Sequence, residues 1–408
     1  MGVLSLVLIP FYLSELGKEQ WGLVAVCLSL QGFLMLLELG LSQYIPKQFT
    51  IAYERKHLSA TLKQVTKVYV FLGLFLFVVA QTFLSNIFEL IETPESIQQD
   101  ALLAGRLFLF QFFFSFANNV NVAFFNGIER QFEINVRAML FGSMKHVVAI
   151  SAILIVDRLA ILYIGSFALV CFFEWLLNTM AVRTEARIEE LNSNIHDFQD
   201  SAWDVLRHSG GFSVGVLIGM LTMQIDKLYL ITSLSIVDYG YYVLIVTFAM
   251  YLMHLQSPLQ RAFLPALIRA DTRKSELYIL LRHLKFTFFV SIFPCIIVWY
   301  NSYDILYLWL GDIEIASKGE DVLALFAIAV AMNSLYGTAY NNLIKINGYL
   351  IIISINIAIV LMQLLLIFIR PETIVLGGEL WLVAGSVQLV ATLFIYFKVI
   401  FTHEKKTI

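Results

Sequence analysis

Residues 349–369 read YLIIISINIAIVLMQLLLIFI, a run of 21 positions without one charged side chain. A helix rises 1.5 Å per residue, so such a run is about 30 Å long, the thickness of a bilayer's hydrocarbon core. It is too long for a barrel strand, which spans in about ten residues and alternates with period two. The same pattern fills the chain. Of 408 residues, 59% are hydrophobic and 14% charged, whereas soluble domains carry about 25% charged residues. Mean hydropathy is +0.80. The composition predicts an all-α integral membrane protein of about 12 transmembrane helices. The windows lie near residues 2–14, 20–43, 67–90, 101–126, 138–156, 159–182, 210–232, 239–260, 285–308, 322–344, 349–369 and 380–400.

Positive charge is unevenly spread among the connections. With the N-terminus inside, 20 of the 27 Lys and Arg residues fall on the cytoplasmic side, among them Lys47, Arg55, Lys56, Lys63, Lys67, Arg183, Arg187 and Arg273. The outer segments hold Lys18, Arg158, Lys318 and Arg370, beside acidic tips such as ELIETPESIQQD. The positive-inside rule then predicts that both termini are cytoplasmic, in a bacterial inner (cytoplasmic) membrane. The opening MGVLSLVLIPFYL has neither a basic leader nor a small-residue cleavage site, so no cleavable signal peptide is expected. Cys27, Cys171 and Cys295 stand alone in separate windows and suggest neither disulfides nor a metal site.

The chain repeats itself. Residues 16–67 align without gaps to 234–285, with 11 of 52 positions identical, including Gly22 with Gly240, Arg55 with Arg273, Lys56 with Lys274 and Lys67 with Lys285. Further on, Asn121, Asn126, Gly127 and Asn135 fall on Asn342, Asn347, Gly348 and Asn356. Six spans recur as six, and because six is even the two lobes keep the same orientation: parallel repeats about an axis along the membrane normal. The expected division is an N-terminal lobe over 1–182, a cytoplasmic linker over 183–209 with an amphipathic helix, a C-terminal lobe over 210–400 and a tail over 401–408. Ile188, Leu191, Ile195 and Phe198 supply the linker's helical spacing. Against the seventh span the first lacks about nine residues, so a truncated first helix is expected.

Charge at mid-bilayer costs about 2.5–3.5 kcal/mol per residue on insertion scales, so such groups face a protein interior or a wet cavity. The windows contain Glu38, Arg106, Lys145, His146, Glu174, Asp226, Lys227 and His254. Each also has a structural reading. Arg106 is near enough to its helix end to snorkel, Glu38 could pair with Lys47 or Arg137, and Lys145 and His146 could form a buried interhelical pair with Glu174. Asp226 lies about 24 Å into its window, and Lys227 points about 100° away around the helix, so the two are not expected to face each other. Asp226 and Lys227 align with Leu8 and Ile9, so only the second lobe carries them. His254 reads as a satisfied interior histidine. Asn118, Asn119 and Asn121, echoed by Asn333, Asn341 and Asn342, read first as interhelical hydrogen-bonding groups, typically about 1 kcal/mol or less each.

The stretch LGKEQWGLVAVCLSLQGFLMLLELGLSQ at 16–43, with its Leu-Gly, aromatic-Gly and Glu-Leu-Gly-Leu steps, resembles the second-helix region of Wzx-type polysaccharide (O-antigen repeat unit) flippases. So does 224–270, where an Asp in the seventh helix precedes a short loop, a Tyr-Gly step and a later Pro. These flippases belong to the multidrug, oligosaccharidyl-lipid and polysaccharide (MOP) exporter superfamily. The resemblance implies two six-helix lobes in a V, a central cavity lined with cations, and alternating access. Its implied substrate is an undecaprenyl pyrophosphate-linked oligosaccharide, moved to the periplasmic leaflet for O-antigen or capsule assembly. Lys145, Lys227, Arg106 and His146 are then the candidate substrate-binding cations, and Asp226, Glu38 and Glu174 the candidate ion-coupling or gating carboxylates. No cofactor is expected beyond a coupling H+ or Na+. The implied partners are the lipid-linked oligosaccharide, membrane lipids, and a polysaccharide polymerase with its chain-length regulator; nothing points to nucleic acid.

Two rivals remain. A drug/cation antiporter of the same superfamily would use the carboxylates more than the lysines. A polymerase or ligase would carry a large periplasmic loop, yet no outer connection exceeds about 20 residues, and GxxxxGK[ST], HExxH and DxD are absent. A transporter is therefore expected rather than an enzyme.

Overall fold

The structure is a computed structural model that describes residues 2–36, 41–54, 56–91, 93–191, 217–346, 348–370 and 372–401. Among these residues every regular element is helical. The chain divides into two compact units, 1–217 and 218–408.

The first unit contains α1 (Gly2–Leu36), α2 (Leu41–Glu54), α3 (Leu58–Leu90), α4 (Gln98–Gly127), α5 (Gln131–Ile155) and α6 (Ala160–Leu191). α1 takes in the first window and most of the second. It is interrupted at Gly17, whose φ of 78° lies where residues other than glycine are strained. α6 runs nine residues past the lobe boundary expected at 182. The Arg183–Leu191 part of the expected linker is thus a direct extension of a spanning helix. The rest of the linker, 192–209, and the tail from 402 lie outside the described residues.

α4 is the centre of this unit, packed against α3 and α6. Its buried face carries Phe108, Phe112, Phe116, Phe124 and Phe125 with Asn118 and Asn121. The close approach of α2 to α4 needs a glycine, because a Cβ at Gly127 would run into Phe49 and the carbonyl of Pro46. Thr50 Oγ1 donates to the Gly127 carbonyl at 2.9 Å in the same contact.

The second unit contains α7 (Ile225–Ser233), α8 (Ile236–His254), α9 (Ser257–Ile268), α10 (Arg273–Thr287), α11 (Phe293–Tyr300), α12 (Ser302–Leu310), α13 (Ile313–Lys345), α14 (Tyr349–Ile369) and α15 (Ile374–Phe401). A π turn over Phe288–Ile292 joins α10 to α11, and its wholly buried Ser291 meets Ser334 of α13 at 2.6 Å. α13 plays the part of α4: it packs against α15 and α8 and buries Phe326, Val330, Tyr336 and Asn342. Asp312 caps it, accepting from the backbone N–H groups of Glu314 and Ile315 at 2.8 and 3.1 Å.

The internal repeat is visible in the helix order. Short α2 then long α3 matches short α9 then α10, and the breaks fall beside the aligned basic pairs Arg55-Lys56 and Arg273-Lys274. Among the described residues, nine helical segments are long and apolar enough to cross a membrane. The three remaining windows are the two held in α1 and the seventh. The seventh is not one continuous helix: helical turns over 217–221 stop, Thr222–Gln224 form a turn, and α7 restarts at Ile225.

Candidate functional site

The break in the seventh span follows from its hydrogen bonds. Met223 and Gln224 donate to the carbonyls three residues back, at 3.1 and 3.0 Å, instead of four. This leaves the Gly219 carbonyl to accept from Thr222 Oγ1 at 2.7 Å, and past the turn the carbonyls of Thr222 and Met223 receive no backbone N–H either. Buried backbone groups need partners, and two side chains supply them. Gln363 Nε2 donates to Thr222 O at 3.3 Å, and Lys227 Nζ donates to Met223 O at 2.9 Å.

Asp226 sits in the first turn of α7, where the helix dipole favours negative charge. It is completely buried. Its Oδ2 accepts from the Tyr242 hydroxyl of α8 and from Trp381 Nε1 of α15 at 3.0 Å, and lies 3.5 Å from Lys227 Nζ. Its Oδ1 has no hydrogen-bond partner, and neither have Gln224 Oε1 and Gln363 Oε1. A helix wheel separates Asp226 from Lys227 by about 100°, yet they pair: the lysine stem curls back toward the break, over the Trp381 ring, which its Nζ meets 6.0 Å from the centroid. The expectation that the two would not face each other is thus corrected; backbone direction does not fix the end of a four-carbon side chain. Gly377 of α15 makes room for the arrangement, since a Cβ there would overlap the Tyr242 ring.

In the first unit, Lys145 of α5 and Glu174 of α6 form an ion pair at 2.9 Å, with side chains 21% and 13% exposed. Glu174 Oε1 accepts from Asn118 Nδ2 at 3.4 Å. Asn118 Oδ1 in turn accepts from Asn121 and Asn178 at 3.0 and 3.1 Å, and Asn121 reaches Thr179 Oγ1 at 3.1 Å. Glu174 and Asn178 are four residues apart on α6, and Asn118 and Asn121 three apart on α4, so each pair shares one helix face. His146 points elsewhere. Its Nε2 is 3.0 Å from Ser5 Oγ and its Nδ1 3.0 Å from the Tyr12 hydroxyl, both on α1, and Phe167 lies edge-on against its ring.

Of the candidate residues, the structure brings together Lys145 with Glu174 and Asp226 with Lys227. It leaves Arg106 exposed on α4 without an ion pair to a described residue. Glu38 lies outside the described residues. Both candidate lysines already hold a carboxylate. Tyr242, Trp381, Gln363 and Gln224 were not legible as site residues, because buried aromatic and amide groups in apolar helices carry no motif. Among the described residues no group of His, Cys, Asp and Glu could hold a metal ion.

No family model matches the chain, and no curated protein matches it by sequence. Solved structures do match. An inward-facing multidrug resistance MATE family transporter of the MOP superfamily superposes with a TM-score of 0.74 at 14% identity, over 100% of this chain and 96% of that one. The lipid II flippase MurJ in an inward closed conformation gives 0.72 at 13% identity, over 98% and 86%. A MOP superfamily transporter from Pyrococcus furiosus, noted for the reverse polarity of its binding pocket, gives 0.59 at 13%, over 96% and 90%. The fold is the MOP fold. The interrupted seventh span opens the second of the two compact units.

Proposed function

We propose that this protein is a MOP-type transporter that flips an undecaprenyl pyrophosphate-linked oligosaccharide from the cytoplasmic to the periplasmic leaflet of a bacterial inner membrane. Alternating access would move it, coupled to H+ or Na+. The observation that carries transport is Asp226: a carboxylate with no solvent exposure, at a helix break, with one oxygen unpartnered. Burying such a group is costly and nothing in helix packing requires it, which supports a working role. The flippase reading is supported further by the resemblance at 16–43 and 224–270.

In this reading Asp226 Oδ1 takes the coupling proton or sodium ion. Neutralising Asp226 weakens its hold on Lys227 at 3.5 Å, and the lysine becomes available to the pyrophosphate as a charge-assisted donor. Lys145 is released from Glu174 by the same logic in the other half. An inside-negative potential favours outward movement of an anion by about 2.3 kcal/mol per charge per 100 mV.

The test is complementation of a strain lacking its polysaccharide flippase. Restored surface polysaccharide that is lost in both Lys227→Ala and Lys145→Ala supports the reading; normal polysaccharide in both variants refutes the role of the cations. A second reading, a MATE-like drug/cation antiporter, is favoured by the pairing of both lysines with carboxylates, which leaves no surplus positive charge at either site. Drug resistance conferred without any effect on polysaccharide would select it.

A further inference from the structure

A second cationic feature lies away from these groups. α3, α4 and α6 enclose a cavity of about 560 Å³, within the size range of small-molecule sites. Lys63 and Lys67 line it from one turn of α3, and Arg183 and Arg187 from one turn of α6. None of the four makes an ion pair with a described residue, and no described carboxylate lines the cavity. Like charges four residues apart on a helix repel. Here two such pairs face one space, an arrangement that an anion between them would relieve.

Beside and between these cations the cavity is largely apolar, with Ser59, Thr66, Asn121 and Thr179 as the uncharged polar groups of its lining. Leu62, Val70, Val120, Val182 and Ala186 form its walls. Trp175, which also lines it, lies eight residues along α6 from Arg183, about 12 Å deeper. Asn121 and Thr179, joined at 3.1 Å, complete the inner wall. A soluble anion would use the cations and leave the walls empty. A lipid uses both, with its phosphate among the four cations and the start of an acyl chain against the walls.

We infer that this cavity is a binding site for an anionic phospholipid of the leaflet at the Lys- and Arg-rich end of the first unit. Basic pockets between spanning helices recognise headgroups of this kind. The inner wall continues from Asn121 through Asn118 to the Glu174–Lys145 pair, so the cavity lining shares a hydrogen-bonded network with that pair. The inference does not depend on which substrate the protein carries.

The test is native mass spectrometry of the full chain in detergent, titrated with phosphatidylglycerol or with phosphatidylcholine. The expected result is phosphatidylglycerol bound at least tenfold more tightly than phosphatidylcholine. That preference should vanish in Lys63→Gln/Lys67→Gln and in Arg183→Gln/Arg187→Gln, and persist in Lys274→Gln, which removes a basic residue of the second unit. Equal retention of phosphatidylglycerol by wild type and both double variants would overturn the site. Inorganic pyrophosphate bound as tightly as phosphatidylglycerol would overturn the lipid as its ligand.

Discussion

Gln363 of α14 donates to the carbonyl of Thr222 at 3.3 Å, and so satisfies a backbone group that the interrupted seventh span leaves without an amide. The same Nε2 donates to Leu380 O of α15 at 3.1 Å. One buried amide therefore holds three helical segments around the turn that precedes Asp226. In a bilayer an irregular backbone is tolerated only where protein or a cavity satisfies it.

Gln363→Leu keeps the volume and removes the donor. The Thr222 carbonyl then lacks a partner, at a cost of about 1–3 kcal/mol, while Leu380 O keeps the amide of its own helix. The expected outcome is a lower unfolding midpoint in detergent together with impaired transport; an unchanged midpoint would mean that the turn is satisfied some other way.

Asp226→Asn and Asp226→Ala should separate charge from architecture. The asparagine retains an oxygen for Tyr242 and Trp381, so the protein should fold while ion-coupled transport is lost. The alanine also strands both donors and leaves Lys227 without its carboxylate, and removing one partner of a buried pair costs about 3–5 kcal/mol. Thermal unfolding of both variants, with transport by the asparagine form, checks this.

Lys145 and Glu174 should behave as a coupled pair. A double-mutant cycle with Lys145→Met and Glu174→Gln is expected to give a coupling of about 0.5–3 kcal/mol. A coupling indistinguishable from zero would mean that the 2.9 Å contact does not persist in solution.

His146→Phe removes the ring nitrogens that meet Ser5 and Tyr12 and leaves the Tyr12 hydroxyl buried without its partner. Stability should fall by about 1–3 kcal/mol while transport by the folded fraction continues. Transport lost at full stability would instead return His146 to the substrate path.

Gly377→Ala should act at a distance from Asp226 through Tyr242 alone. The added methyl meets the tyrosine ring, and overpacking of this kind costs about 1–3 kcal/mol. Gly377→Ala combined with Tyr242→Phe should recover only in part, since two ring carbons crowd the added methyl along with the hydroxyl. Recovery in Gly377→Ala/Tyr242→Leu would confirm the clash.

The sequence by itself determined the class of the molecule, its repeat and several of its buried charges. Windows of spanning length follow from composition, and the aligned basic pairs mark the same helix break in each half, because both depend on local chemistry. The tertiary structure decided what those charges do. That Lys227 returns to Asp226, that His146 fastens α5 to α1 while its neighbour Lys145 holds Glu174, and that Lys63, Lys67, Arg183 and Arg187 line one cavity all depend on packing between segments up to 141 residues apart. The four basic residues read in sequence only as inside-facing charge, since nothing local says that two helices bring them around one space. The break at Thr222–Gln224 was equally hidden, because the run around it is largely apolar and contains no Pro to mark it. Its stability lies in Gln363, which stands 141 positions away.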